Sequence, residues 1–310
     1  MRKESIIRMS TAIDNDENRE CPPRVTAILL AAGRGTRMGT RERKQFMELA
    51  GRPVLSWSLD VLVQSPVVTD IVLVIPAGSN ADVPFRAEQE RIRHSFIDPL
   101  PPDSAAKVHA LVPGGAERYN SVYNGLEAIQ WPCHYVFIHD GARPLITEDM
   151  LETLLAAVQQ YKAVVAACPS KDTVKITDDS GFVASTPERS HVWNIQTPQC
   201  FEYELVKSSY EKILGVSAAE TDATKVTESS RTGAGAAFGI DHVESEPAAQ
   251  ISGQKNGRAP LKITDDAMVV EYTSDAKVRP VDTGYQNIKI TTPEDLLVAE
   301  VFLRSRAKLT

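Results

Sequence analysis

The stretch Val25–Phe46, "VTAILLAAGRGTRMGTRERKQF", sets a short apolar run against a cation-rich loop. Its first six residues are too few for a helix of ordinary length and include β-branched side chains, so they read as a buried strand. The loop that follows resembles a nucleotide-binding turn but fits neither common pattern. Gly33-x-Gly35 is followed by Met38 where a dinucleotide fingerprint needs its third glycine, and the GxxxxGK[ST] of a P-loop is absent. What the loop carries is charge: Arg34, Arg37, Arg41, Arg43 and Lys44, opposed only by Glu42. A glycine-bearing turn after a strand offers backbone N–H groups to an anion, and added cations suit a polyphosphate.

Outward from this stretch the same alternation continues. "DIVLVIP", "YVFIHD" and "AVVAAC" read as further buried strands, and "PVLSWSLDVLVQ", "RYNSVYNGLEAIQ" and "TEDMLETLLAAVQQY" space their apolar residues as helices do. Thr147 is the expected N-cap of the last. Strands alternating with helices predict an α/β protein with a mainly parallel sheet flanked by helices, whose ligands bind beyond the carboxyl ends of the strands. Residues 171–197 break the alternation: short β-like pieces flank "DDSG", a turn signal, and predict a projecting β-arm. Residues 1–24 read as a disordered tail, and 216–260, rich in Ala, Ser, Thr, Gly and Glu, as a disordered insertion. The remainder of 25–310 reads as one domain, closing with a strand at "NIKI" and a helix starting at Pro293.

Composition excludes several classes. The net charge of −7 disfavours nucleic acid and anionic membranes as partners. No apolar run could span a bilayer. Four scattered cysteines without a CxxC pair suit a reducing compartment, and a cytoplasmic location is expected.

Three further segments carry chemistry. "YVFIHDGARP" ends a buried strand in His139-Asp140, and an acid there needs a compensating cation. Mg²⁺ carried on nucleotide phosphates is one candidate, since it often takes only one or two protein carboxylates; pairing with Arg143 or capping a turn is the plainer alternative. "VPGGAERYNSV" places Gly114 and Gly115 before a helix beginning near Arg118, where a base or ribose could approach the backbone. Finally, Thr173, Arg189, Thr197, Thr264, Asp265 and Lys289 are the hydroxyls and charges a phosphate monoester would need, if the fold gathers them.

Taken in order, "AILLAAGRGTRMGTRERKQF", "GGAERYNSV", "HDGARP", "DTVK", "TPERSHVWNIQTPQ", "ITDDA" and "NIKITTPEDL" resemble the 2-C-methyl-D-erythritol 4-phosphate cytidylyltransferase family. The resemblance implies a Rossmann-like nucleotidyltransferase fold, CTP and 2-C-methyl-D-erythritol 4-phosphate as substrates, Mg²⁺ as cofactor, and a homodimer with exchanged arms. It assigns catalytic roles to Arg37, Lys44 and Asp140, with Asp140 also the metal ligand. Nucleotide binding falls to Ala31, Ala32, Gly33, Gly35, Gly114, Gly115, Ser121 and Lys289. Substrate binding falls to Asp140, Arg143, Thr197 and Thr264, and, from the partner's arm, to Thr173 and Arg189. Ala116 stands where some relatives carry an acid. A ribitol-5-phosphate cytidylyltransferase shares the basic loop, the HD-x-x-RP pattern and "QTPQ", and a non-catalytic nucleotide-binding protein on the same fold is the other alternative. An NAD(P)-dependent oxidoreductase is disfavoured by Met38 and by the proline that ends "DIVLVIP" where a ribose-binding acid belongs.

Overall fold

A computed structural model describes residues 22–33, 43–78, 84–216 and 263–307. Along the chain these form β1 (Val25–Leu30), β2 (Glu48–Leu49), β3 (Arg52–Pro53), α1 (Val54–Gln64), β4 (Asp70–Ile75), α2 (Phe85–Ile92) and α3 (Pro102–Ala106). Next come β5 (Val108–Pro113), α4 (Arg118–Glu127), β6 (Tyr135–Asp140), α5 (Glu148–Tyr161) and β7 (Ala163–Pro169). The arm strands β8 (Ile176–Thr177) and β9 (Val183–Ser185) precede β10 (Trp193–Glu202), α6 (Tyr203–Leu214), α7 (Asp266–Thr273), β11 (Arg279–Asp282) and α8 (Pro293–Ala307).

Seven strands make the central sheet, in the order β11-β7-β10-β6-β1-β4-β5. All neighbours run parallel except β10, which is antiparallel to both β6 and β7. Successive side chains of a strand face opposite sides, and β1 shows the result. Val25, Ala27 and Leu29 pack with α1 and α5 through Leu55, Leu59, Leu151 and Leu154, while Ile28 packs on the other face with α4, α6 and α7 through Val122, Leu126, Val206 and Val269. Both faces being covered explains why the strands read as unbroken apolar runs rather than alternating ones. The chain leaves β1 towards β4 and β5 and then returns to place β6 on β1's other side. That reversal is a topological switch point, where a crevice opens beyond the strand ends.

The helices and strands predicted from "VTAILL", "DIVLVIP", "YVFIHD", "AVVAAC" and the three helical segments form where expected, and Thr147 caps α5 by accepting from the Met150 N–H at 3.4 Å. In the arm, Asp178 Oδ1 accepts from the N–H groups of Ser180 and Phe182 (2.9 and 3.0 Å), and Gly181 takes the left-handed conformation (φ +84°) that glycine adopts without strain.

Three expectations are corrected. Arg24, placed in a disordered tail, is fixed: its guanidinium pairs with buried Asp70 (2.6 Å) and its carbonyl accepts from His134 and Tyr135; residues 1–21 lie outside the described residues. Trp193 to Thr197, taken as the end of the arm, belong to β10 in the central sheet. "NIKI" is not a strand. Its backbone is engaged by the loop after β6 instead, with Ile290 N–H donating to Ala142 O (2.8 Å) and Asn287 O accepting from Arg143 (2.8 Å). The late strand is β11, four residues long with a proline, a composition tolerated because it lies at the sheet edge. The expected insertion at 216–260 lies, after Val216, outside the described residues.

Candidate active site

At the carboxyl ends of β1, β5 and β6 lies a cleft of about 350 Å³. Ala32, Gly33 and Lys44 come to it from the segment after β1, Gly115, Ala116 and Ser121 from the β5–α4 turn, Asp140 from β6, and Lys289 from the segment after β11. Arg37 and Gly35 lie outside the described residues.

Each wall is held from behind. Gln45, buried beneath the cleft, donates to the carbonyls of Ala31 and Gly33, and Arg43 donates to Ala32 O at 2.7 Å. Ala31 itself is fully buried and donates to Val74 O (2.7 Å), so it shapes the turn and Ala32 faces the cleft. Gly114 has to be glycine, because a Cβ there would collide with the Cβ of Ala32. Ser121 Oγ accepts from Gly115 N–H (3.0 Å) and donates to Glu117 O (3.2 Å), tying the glycine turn to the first turn of α4.

Asp140 is the electrostatic centre. Its Oδ1 accepts from Arg118 Nε at 3.2 Å and its Oδ2 from Lys289 Nζ at 2.6 Å. Burial alone would push its pKa up, but Arg118 and Lys289 outweigh burial and hold the carboxyl far below the usual range. Asp140 is therefore ionised at every physiological pH. The Arg143 backbone N–H donates to Asp140 O (2.9 Å), but its guanidinium does not reach the carboxylate: it turns to Asn287 O (2.8 Å) and Ile195 O (3.5 Å), and its buried Nε has no partner among the described residues. Arg118 in turn grips Asp266 with both Nη atoms (2.7 and 2.9 Å).

A buried relay lies under Asp140. The Asp140 N–H donates to Thr197 Oγ1 (3.1 Å), Thr197 Oγ1 lies 3.1 Å from His139 Nδ1, and His139 Nε2 lies 3.2 Å from Arg143 O. The carbonyl can only accept, so His139 carries its proton on Nε2 and takes one from Thr197 on Nδ1. Burial lowers the His139 pKa to about 4, keeping the ring neutral. His139 is thus a support for the Asp140 loop rather than a base.

The cleft consequently gathers Ala32, Gly33, Lys44, Gly115, Ser121, Asp140 and Lys289 from the expected set. Thr197 and Arg143 are buried behind the cleft wall, where the Thr197 hydroxyl is already engaged by Asp140 and His139. Thr264 is exposed beside α7, with its hydroxyl on Met268 Sδ (3.0 Å). Thr173 and Arg189 stand exposed on the arm and do not line the cleft. Missing from the expected set were Arg118, Gln45, Asp266 and Gln199. Arg118 had one signal: a cation at the first position of a helix opposes the helix dipole and asks for a carboxylate partner.

A sequence model of the 2-C-methyl-D-erythritol 4-phosphate cytidylyltransferase (IspD) family matches residues 25–237 and 248–305. The chain belongs to this family. The cytidylyltransferase of that name from Alkaliphilus oremlandii is 35% identical over 283 residues, spanning 91% of this chain and 96% of the relative. That of Lachnoclostridium phytofermentans is 37% identical over 281 residues, 91% of this chain and 97% of its own. Among solved structures, a 4-diphosphocytidyl-2C-methyl-D-erythritol synthase from Anaerococcus prevotii superposes with a TM-score of 0.65 at 30% identity, covering 92% of this chain and all of its own. The Thermus thermophilus cytidylyltransferase shares the fold at TM-score 0.55 and 22% identity, over 89% of this chain and 98% of its own. Within the region read as an insertion, the cytidylyltransferase family model leaves only residues 238–247 unmatched.

Proposed function

We propose that the cleft binds CTP and transfers its cytidylyl group to the phosphate of 2-C-methyl-D-erythritol 4-phosphate, giving 4-diphosphocytidyl-2-C-methyl-D-erythritol and pyrophosphate. Membership in the cytidylyltransferase family supports the substrates. The observation that carries the mechanism is one ionised carboxylate, Asp140, held by Arg118 and Lys289 in a cleft that Lys44 and a glycine turn also line.

An oxygen of the sugar phosphate attacks the α-phosphorus of CTP; a P–O bond forms there and the α–β bridging P–O bond breaks, its electrons leaving with pyrophosphate. A phosphate monoester has a second pKa near ~6 and is mostly dianionic at neutral pH, so the attacking oxygen needs no base. A neutral, buried His139 is consistent with that economy. The difficulty is bringing two anions together and stabilising the charge on the departing pyrophosphate, which fixed cations do without reorganising. Ala116 offers the base no side-chain hydrogen bond, so the cytosine edge would be read by backbone groups of the Gly115–Glu117 turn.

Among the described residues no cluster of three or more His, Cys, Asp or Glu could hold a metal by itself. One ionised carboxylate at the cleft floor instead fits a magnesium ion that arrives on the triphosphate, and Asp140 would be its protein ligand. Bound there, it would neutralise phosphate charge and polarise the α-phosphoryl group.

We further propose a homodimer in which each arm carries Thr173 and Arg189 to the partner's sugar-phosphate site. The apolar side chains of Ile176, Phe182 and Val183, all exposed on the arm, support a covered arm surface. Among the described residues no helix is long and apolar enough to cross a membrane, and we propose that the enzyme acts in the cytoplasm on dissolved substrates.

The test is pyrophosphate release with methylerythritol phosphate and each of CTP, UTP, ATP and GTP, with ribitol 5-phosphate in parallel. CTP and methylerythritol phosphate should be the productive pair. Lys44→Ala and Asp140→Ala should each lower kcat/KM by roughly 100-fold or more, as loss of transition-state charge stabilisation does, while circular dichroism stays native. Turnover of ribitol 5-phosphate alone would sink the substrate assignment, and wild-type rates in either variant would sink the site.

A further inference from the structure

The two cations on Asp140 are secured very differently. Lys289 has Asp140 as its only side-chain partner among the described residues, and its side chain is 35% exposed. Arg118 gives Nε to Asp140 but both Nη atoms to Asp266, a fully buried residue at the start of α7. Asp266 Oδ1 also accepts from Tyr210 Oη at 2.6 Å, and Tyr210 is fully buried on α6. The backbone is held as well: the N–H groups of Asp266 and Ala267 both donate to Gln199 Oε1 on β10, each at 2.9 Å. A cleft-lining guanidinium is thus anchored by three elements behind it, and neither Asp266, Tyr210 nor Gln199 lines the cleft.

We propose that Asp266 is a positioning residue for the reaction, holding the Arg118 fork so that Nε stays on Asp140 Oδ1 while an incoming triphosphate draws Lys289 off Oδ2. The inference rests on the reading of the cleft as a nucleotide site. A guanidinium is planar and presents its donors in a fixed fork, so two donors committed to Asp266 leave one edge for Asp140. A polyphosphate competes for every cation near it. Lys289, a single ammonium on a flexible and partly exposed stem, can turn towards it at little cost. Arg118 could follow only by leaving a buried carboxylate unpaired, which is strongly unfavourable. Asp140 therefore keeps one counter-charge and gains one free oxygen facing the phosphates. Burial opposes the charge on Arg118, but the Asp266 and Asp140 carboxylates outweigh it, so the guanidinium stays charged throughout.

The experiment measures pyrophosphate-release kinetics and thermal melting on the full chain for wild type, Asp266→Asn, Arg118→Lys, the double variant and Tyr210→Phe. Asp266→Asn and Arg118→Lys should each lower kcat by about tenfold, with KM for the sugar phosphate changed by no more than about threefold. The double variant should fall no further than about threefold below the poorer single one, because both lesions act through one guanidinium. A merely structural Asp266 would lower the melting temperature but leave kcat of the folded enzyme within about twofold of wild type, and that result overturns the proposal. Full multiplication of the two losses overturns it too. If Asp266→Asn does not fold, Tyr210→Phe decides: losing a buried hydroxyl lowers its melting temperature in any case, so kcat of the folded enzyme is the readout, with a loss of about threefold expected and an unchanged kcat the contrary result. An inactive wild type would bring down the cleft reading along with this one, whereas an active wild type with an indifferent Asp266→Asn brings down this one alone.

Discussion

Replacing Thr197 by valine keeps the shape of the side chain and deletes one hydroxyl. In the structure that hydroxyl accepts from Asp140 N–H and donates to His139 Nδ1, both at 3.1 Å, and all three residues are buried. The substitution leaves a donor and an acceptor without partners where water does not reach. Each costs about 1–3 kcal/mol, so Thr197→Val should destabilise the fold by roughly 2–6 kcal/mol. Thr197→Ser keeps the hydroxyl and loses one methyl group, a cost of about 1 kcal/mol. Urea unfolding of the two variants at pH 7 reads the difference as a shift in midpoint at constant slope. Because Asp140 hangs from this relay, kcat of Thr197→Val should fall while Thr197→Ser stays near wild type. The resemblance implied a different role, a direct contact with the sugar phosphate. That role predicts two equally stable variants, with KM for the sugar phosphate raised only in valine's case, and such a pair of results would refute the relay.

His139 has a folded-state pKa of about 4 against an ordinary value of 6.5, so the unfolded chain binds the proton more readily and stability contributed by the neutral ring is present above pH 6.5 and lost as pH falls towards 4. Between pH 7 and 4.5 the wild type should lose about 2–3 kcal/mol more than His139→Gln, which cannot titrate, and parallel stability–pH curves would contradict this. On the arm, Phe182 is 74% exposed in the single chain. Phe182→Glu should shift sedimentation from dimer towards monomer while the central sheet melts as before, and a monomeric wild type would remove the arm-exchange proposal.

How much of this was legible in the chain depended on whether the cause was local. The strands and helices around the cleft were readable because their periodicity and caps are properties of neighbouring residues: "VTAILL" and "YVFIHD" are buried on both faces, and Thr147 precedes its helix as a cap should. β11 escaped because a four-residue, proline-bearing edge strand has no such signature, and "NIKI" misled because its apolar alternation serves a segment that bonds to a loop instead of a strand.

The cleft divides the same way. Position after a strand marked Gly33, Lys44, Gly115 and Asp140 as candidates, and the ordered motifs brought the family within reach, so the sequence alone determined fold class and chemistry. Which cation compensates Asp140 was decided only in three dimensions. Arg143 is three residues away in sequence, yet its guanidinium bonds to backbone carbonyls elsewhere; Arg118 and Lys289, 22 and 149 residues distant, hold the carboxylate. The difference has a simple cause. Secondary structure answers to spacing along the chain, whereas a buried charge answers to whatever donor the packed sheet and helices deliver to it, and that delivery is made by tertiary contacts.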